Sequence, residues 1–184
     1  MTLSLGPDLP EIRSAAVFGL ARSGRAAVAA LAERGVEVVG TDAKAGLEGL
    51  VPLPGVRYVL GGHPESLLDG ADLVVVSPGI PLTLPVFDAA RARALPVVAE
   101  VELASRLLPG VVVGVTGTNG KSTTTALAAA LLKGAGHDAV ACGNFGTPWI
   151  HFATKEGANG GGTAPRTWVV ELSSFQLEGI RRFA

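Results

Sequence analysis

Short apolar runs alternate with Ala- and Leu-rich amphipathic stretches along this chain, and that alternation narrows the possible folds more than any other feature. Five β-rich runs fall in the first hundred residues: "SAAVFG" (14–19), "VEVVGTD" (36–42), "VRYVLG" (56–61), "ADLVVVSPG" (71–79) and "LPVVAE" (95–100). Between them, "GRAAVAALAERG" (24–35) puts Ala27, Val28 and Leu31 on one face and stops at Gly35, while "LPVFDAARARA" (84–94) does the same with Val86, Phe87 and Ala90. Strand and helix in turn point to a parallel sheet with right-handed crossovers. Such strands are covered on both faces, so they read as near-continuous Val and Leu. The mean hydropathy of +0.42 follows from that and not from a membrane segment. No apolar run reaches the ~18 residues a span needs, and "MTLSLGPDLPEIRS" has no basic region followed by an apolar one.

A helix over 99–108 leads into Pro109-Gly110, where we expect one domain (1–108) to give way to another (109–184). The second block reads as strand (111–116), loop, helix (122–133), strand (138–142), a mixed segment, the loop "KEGANGGGTAPR" (155–166) and strand "TWVVELS" (167–173). Gly160 to Gly162 suit a mobile surface loop. The fold class expected is α/β: a Rossmann-like parallel five-stranded N-terminal domain followed by part of a P-loop-type α/β ATPase domain. Three strands and one long helix are little material for a nucleotide-binding domain, so the second block reads as unfinished, with apolar strand faces and an open edge.

Fifteen Lys and Arg against sixteen Asp and Glu give a net charge of -1, too little to attract nucleic acid or an anionic membrane. Any anion must be bound locally. The single cysteine, Cys142, forms no intrachain disulfide and fits a small buried hydrophobe in a reducing compartment. We therefore expect a soluble, monomeric, cytoplasmic protein.

The local anion site is "GVTGTNGKST" (114–123). A strand ends at Thr116, small residues and glycines follow, and a helix begins near Ser122, so several backbone N–H groups and a helix N-terminus converge on one point. Lys121 would reach the β- and γ-phosphates of a nucleotide, and the Ser122 hydroxyl would ligate Mg²⁺. The spacing departs from the common phosphate-loop pattern, because Val115 stands five residues before Gly120. The alternative is a plain Gly/Thr-rich turn.

A second glycine turn follows the first strand: Gly19-x-Ala21-x-x-Gly24, with Asp42 closing the next strand. This resembles a dinucleotide-type crevice in which N–H groups near Arg22 and Ser23 meet a diphosphate and Asp42 accepts from a nucleoside. Alanine in the middle place counts against a dehydrogenase, and a simple packing turn is the competing reading. Ser77-Pro78-Gly79-Ile80 closes the fourth strand at the same edge. Glu171 ends an apolar strand, where a carboxylate has no packing reason to be and could hold Mg²⁺. Ser173, Ser174 and Gln176 follow it on what reads as a turn. Glu100 and Glu102 open a helix and read as first-turn acids that complement its dipole. His63, His137 and His151 lack metal-ligand spacing and read as surface or turn residues.

Taken together, "GLARSG" with "TD" at 41–42, "SPGI" at 77–80, "GVTGTNGKSTTT" at 114–125, "GNFG" at 143–146 and "ELSSFQLE" at 171–178 resemble the Mur ligase family, most closely its D-glutamate-adding branch. The glycine-lysine loop is shared with folylpolyglutamate synthases; "ELSSFQLE" and Asn119 select the branch. The resemblance implies an ATP- and Mg²⁺-dependent amide ligase of peptidoglycan synthesis that phosphorylates the carboxylate of UDP-N-acetylmuramoyl-L-alanine and joins it to D-glutamate. It implies that Gly117, Thr118, Asn119, Gly120, Lys121, Ser122 and Thr123 bind ATP, with Lys121 and Glu171 catalytic and Ser122 and Glu171 on the metal. It places Leu20, Arg22, Ser23, Asp42 and Gly79 on the UDP portion, and Asn144, Ser173 and Gln176 near the muramoyl-alanine portion. Ala43 lacks the hydroxyl often found at the uracil. Members of the family are much longer, with a third domain, so the fragment alone is expected to be inactive. A non-catalytic UDP-sugar-binding module, a sister ligase adding another amino acid, and an NAD oxidoreductase built on the Gly19 turn are the competing readings.

Overall fold

A computed structural model describes residues 2–158 and 166–183. The glycine loop Gly160–Gly162 lies outside the described residues. Five parallel strands, β1 (Ser14–Phe18), β2 (Glu37–Asp42), β3 (Val56–Leu60), β4 (Leu73–Val76) and β5 (Val97–Ala99), form a sheet in the order β3-β2-β1-β4-β5. Helices α1 (Arg22–Ala32), α2 (Pro85–Ala92) and α3 (Glu100–Leu107) cover it. The strand order reverses between β1 and β4, which opens a crevice at their carboxyl ends. The Gly19 turn and the Ser77–Ile80 turn both border it.

A second parallel sheet runs β6 (Val111–Val115), β8 (Thr167–Glu171) and β7 (Ala139–Gly143) in the order β6-β8-β7, with α4 (Lys121–Gly134) after β6 and the short α5 (Ser174–Glu178) after β8. Strands β6 and β8 are neighbours in this sheet, Val115 beside Glu171, so the Lys121 loop and Glu171 fall side by side.

Helix α1 starts two residues before the expected Gly24. Arg22 and Ser23 thus belong to its first turn, with Ala21 as an extended N-cap that offers no side-chain bond. Gly35 adopts the left-handed conformation that suits a residue after a helix end. The expected turn after Glu171 is a helix with a reciprocal cap: Ser173 Oγ accepts from Gln176 N–H, and Gln176 Oε1 accepts from Ser173 N–H. The mixed segment is a 3₁₀ turn, Trp149–Ala153. Its Trp149 and Ile150 are fully buried with Leu31, Val101, Trp168 and Val170, so both sheets share one apolar cluster. Phe18, Val76 and Phe87 anchor a second cluster.

Apolar residues of the second block are open as the sequence implies: Val111 is 60% exposed and Leu131 65%. Cys142 is buried, and burial pushes its thiol up to about 12. Among the described residues no helix is long and apolar enough to cross a membrane.

Candidate functional site

Glycine at positions 19 and 24 is required by close packing. Gly19 has φ +86°, and a Cβ on Gly24 would lie 1.7 Å from the Gly19 carbonyl oxygen. Ser77 Oγ donates to that same carbonyl at 2.8 Å, tying the β4 turn to the β1 turn. Asp42 accepts from Leu20 N–H at 2.8 Å and from Lys44 N–H at 3.0 Å. Burial raises its carboxyl, but these two bonds, together with the charges of His63 and Lys44, outweigh it and the net shift is downward, so Asp42 is ionised at neutral pH. Leu20 itself is fully buried, with its N–H already taken by Asp42. Gly79 stands at φ +86° with nothing within 4 Å of a Cβ, facing open space at the crevice. His63 is half-buried, not a surface residue. Its Nδ1 lies 3.1 Å from Thr41 Oγ1, and since that hydroxyl spends its proton on Gly62 O, Nδ1 is the donor. Burial lowers the His63 imidazole, partly opposed by Asp42.

At the second sheet, Gly117 (φ +142°) and Gly120 (φ +76°) let the loop after β6 turn into α4. Lys121 Nζ folds back over it, donating to Gly117 O at 2.7 Å and Thr118 O at 3.4 Å. Thr118, Asn119 and Thr123 are exposed along its rim. Next in sequence, Ser122 Oγ donates to Glu171 Oε2 at 2.7 Å, and Asn144 Nδ2 donates to Glu171 Oε1 at 2.9 Å. Glu171 is only 3% exposed, so it is not a solvated strand end. Gly143 permits this: a Cβ there would sit 2.4 Å from the Glu171 carbonyl oxygen.

A hard divalent cation fits the Ser122 and Glu171 oxygens. Among the described residues no group of three His, Cys, Asp or Glu converges on a metal position. Such a cation would keep water and phosphate oxygens as its remaining ligands, which is the habit of Mg²⁺.

The turn after β7 joins the two edges. Asn144 reaches Glu171, and two residues on, Gly146 O accepts from Arg22 Nη1 at 3.1 Å. Neither contact was legible in the sequence, since both depend on how the sheets meet. Arg22 and Gly146 also line a cleft of about 440 Å³ beside α1.

Glu100 and Glu102 stand in the first turn of α3, as the sequence reading has them. What that reading lacks is their burial, at 2% and 0% exposed. Glu102 accepts from Arg106 Nε at 2.6 Å and from the N–H groups of Arg181, Arg182 and Phe183. Burial opposes ionisation of Glu102, but these donors hold its carboxyl below the usual range. Gln176 is 1% exposed, with its side-chain amide bonded to Ser173 and Glu100.

Residues 13–99 match the model of the Mur ligase MurD-like N-terminal domain. The chain is 50% identical over 181 residues to the UDP-N-acetylmuramoylalanine--D-glutamate ligase of Anaeromyxobacter dehalogenans, covering 95% of this chain and 38% of that protein. It is 47% identical over 178 residues to the ligase of the same name from Geobacillus kaustophilus, covering 93% and 38%. A crystal structure of a murein peptide ligase from Psychrobacter arcticus shares the fold, with a TM-score of 0.54 at 20% identity over 89% of this chain and 38% of that one. The chain therefore spans about 38% of the length of the curated relatives it matches.

Proposed function

Residues 13–99 match the Mur ligase MurD-like N-terminal domain, and from that likeness we propose that the chain is part of an ATP-dependent ligase that adds D-glutamate to UDP-N-acetylmuramoyl-L-alanine in peptidoglycan synthesis. The observation that carries this reading is the meeting of Lys121, Ser122, Glu171 and Asn144 at one sheet edge, joined through Gly146 to Arg22 at the other. The anion site and the nucleotide-type crevice are thereby linked through the turn after β7.

In this reading the backbone from Gly117 to Thr123 and the N-terminus of α4 cradle the ATP phosphates. Lys121 exchanges its two loop carbonyls for β- and γ-phosphate oxygens. Ser122 and Glu171 hold Mg²⁺, which when bound offsets charge on the transferring phosphoryl group. Arg22 and Ser23 meet the diphosphate, Asp42 the nucleoside, and Leu20 and Gly79 border the UDP. Asn144 and Ser173 lie toward the muramoyl-alanine end, with Gln176 acting there through Ser173. The alanine carboxylate attacks the γ-phosphorus and ADP leaves; the D-glutamate nitrogen then attacks the acyl carbon, releasing phosphate and the amine's proton.

We place the division between the two units at Pro109, and the reaction in the cytoplasm, which suits ATP and the unpaired Cys142. Turnover is expected of a protein as long as the relatives and not of these 184 residues alone. The test is phosphate release by that longer protein. We expect release only when ATP, UDP-N-acetylmuramoyl-L-alanine and D-glutamate are all present. Release with a different amino acid in place of D-glutamate would point to a sister ligase, and no release with any would refute the reading.

A further inference from the structure

Glu100 has no part in that reaction, yet it is 2% exposed at the point where the first sheet touches the β8–α5 turn. Its Oε1 accepts from Gln176 Nε2 at 2.8 Å, and its Oε2 has no partner among the described residues. Gln176 Oε1 in turn accepts from Ser173 N–H at 2.9 Å and from Ser173 Oγ at 3.1 Å. One side-chain relay thus runs from the start of α3 to the residue two places after Glu171. Beside it, Ala99 N–H donates to Gly179 O at 2.8 Å. A Cβ on Gly179 would lie 2.7 Å from Ala99 Cβ, so the two segments are in direct contact.

The other side of Glu100 faces the turn at the crevice of the first sheet. Glu100, Ser77, Pro78, Ile80, Phe175 and Gln176 border a void of about 10 Å³, roughly one water's room. No substrate group fits there. Glu100 consequently acts on other protein groups rather than on a reactant.

We propose that Glu100 is a positioning residue: through Gln176 it holds the β8–α5 turn, and with it Ser173 and Glu171, in register with the Ser77–Ile80 turn of the first sheet. Its consequence for turnover rests on the ligase reading, whereas the lock itself is a property of the fold. A buried acid with a single side-chain donor and no counter-charge is costly when ionised, and burial pushes the Glu100 carboxyl up to about 7, against the bonds from Gln176 and from the backbone of Glu100 and Val101. Whichever its protonation state, the geometry uses Glu100 as a hydrogen-bond acceptor for Gln176. Replacing it by an apolar group would leave the Gln176 amide buried without an acceptor.

The experiment uses the full-length protein carrying this chain, with Glu100→Leu, Gln176→Leu, the double variant and Glu100→Gln. Hydrogen exchange is read at the amides of Ala99, Ser173 and Gln176, with Val28 and Leu31 of α1 as internal controls, and kcat and KM are measured in parallel. We expect Glu100→Leu and Gln176→Leu each to speed exchange at the three amides at least tenfold without changing the controls. They should also lower kcat at least tenfold. The double variant should be no worse than either single one, and Glu100→Gln, which keeps the acceptor, should restore wild-type exchange and kcat within twofold. Wild-type exchange in Glu100→Leu, or a Glu100→Gln as damaged as Glu100→Leu, would overturn the proposal. Should Glu100→Leu fail to fold, Gln176→Leu carries the same comparison. An inactive wild type would sink the ligase reading alone, because the exchange result decides the lock by itself.

Discussion

Ser122 Oγ donates to Glu171 Oε2 at 2.7 Å, across 49 residues of chain. The hydroxyl stands in the first turn of α4 and the carboxylate ends β8, and each is where it is because β6 and β8 are neighbours in register, Val115 beside Glu171. In the proposed reading, these two hard oxygen donors beside a glycine-lysine loop would hold a cation that is itself bound to phosphate.

From this geometry, Glu171→Gln should raise the Mg²⁺ concentration for half-maximal nucleotide binding at least tenfold. The amide keeps the shape and one oxygen acceptor but loses the charge. UDP-sugar affinity should stay within threefold, since Asp42 and Gly79 lie on the other sheet. Titration calorimetry across a Mg²⁺ series checks this, and an unchanged Mg²⁺ requirement would remove Glu171 from the metal.

Lys121→Ala in the full-length protein should cut turnover by about 10² to 10³, the usual cost of one preorganised transition-state contact. Among the described residues its ammonium bonds only to carbonyls of its own loop, so the unfolding midpoint should hold within a few degrees. Near-wild-type phosphate release would refute the assignment of Lys121.

The two glycine turns should respond differently to a single methyl. Gly24→Ala drives a Cβ to 1.7 Å from a backbone oxygen and should cost about 3 kcal/mol or more, lowering the unfolding midpoint by roughly 6–12 °C. Gly79→Ala meets no atom within 4 Å and bears only the left-handed backbone, about 1 kcal/mol. Thermal melts that rank the two equally would contradict the packing described.

Stability should also depend on Glu100. Its folded carboxyl, raised to about 7 from an ordinary 4.5, binds its proton more tightly than the unfolded chain does. The stabilisation is therefore complete below pH 4.5 and falls away as pH rises toward 7, by on the order of 2–3 kcal/mol. Glu100→Gln should flatten that decline. Denaturant melts at pH 5 and pH 7.5 measure it, and an equal decline in both proteins would assign it elsewhere.

The alternation of apolar runs with helical ones was enough to place β1 to β8, because a parallel sheet buried on both faces leaves continuous Val and Leu in the sequence. The glycine-lysine loop and Glu171 stood out for a related reason: a lysine and a carboxylate at strand ends serve no packing purpose. Glu100 and Glu102 were legible as first-turn acids of α3, but their burial and that of Gln176 were not. An acid two residues into a helix looks the same in sequence whether it meets water or a distant backbone. Only the docking of residues 173–183 on α3 distinguishes them, and that contact spans about 80 residues. The bridge from Arg22 to Gly146 was hidden likewise, as it depends on the meeting of two sheets.

The most direct test is a calorimetric titration of this chain with UDP-N-acetylmuramoyl-L-alanine, with NADH as the control ligand and Asp42→Ala as the control variant. We expect saturable binding of the UDP-sugar, no NADH binding, and an affinity at least tenfold weaker in Asp42→Ala, in line with the loss of a charged hydrogen-bonding group. A folded chain that binds NADH as well as the UDP-sugar, or binds neither, would contradict the assignment of the β1–β4 crevice as a UDP-sugar site.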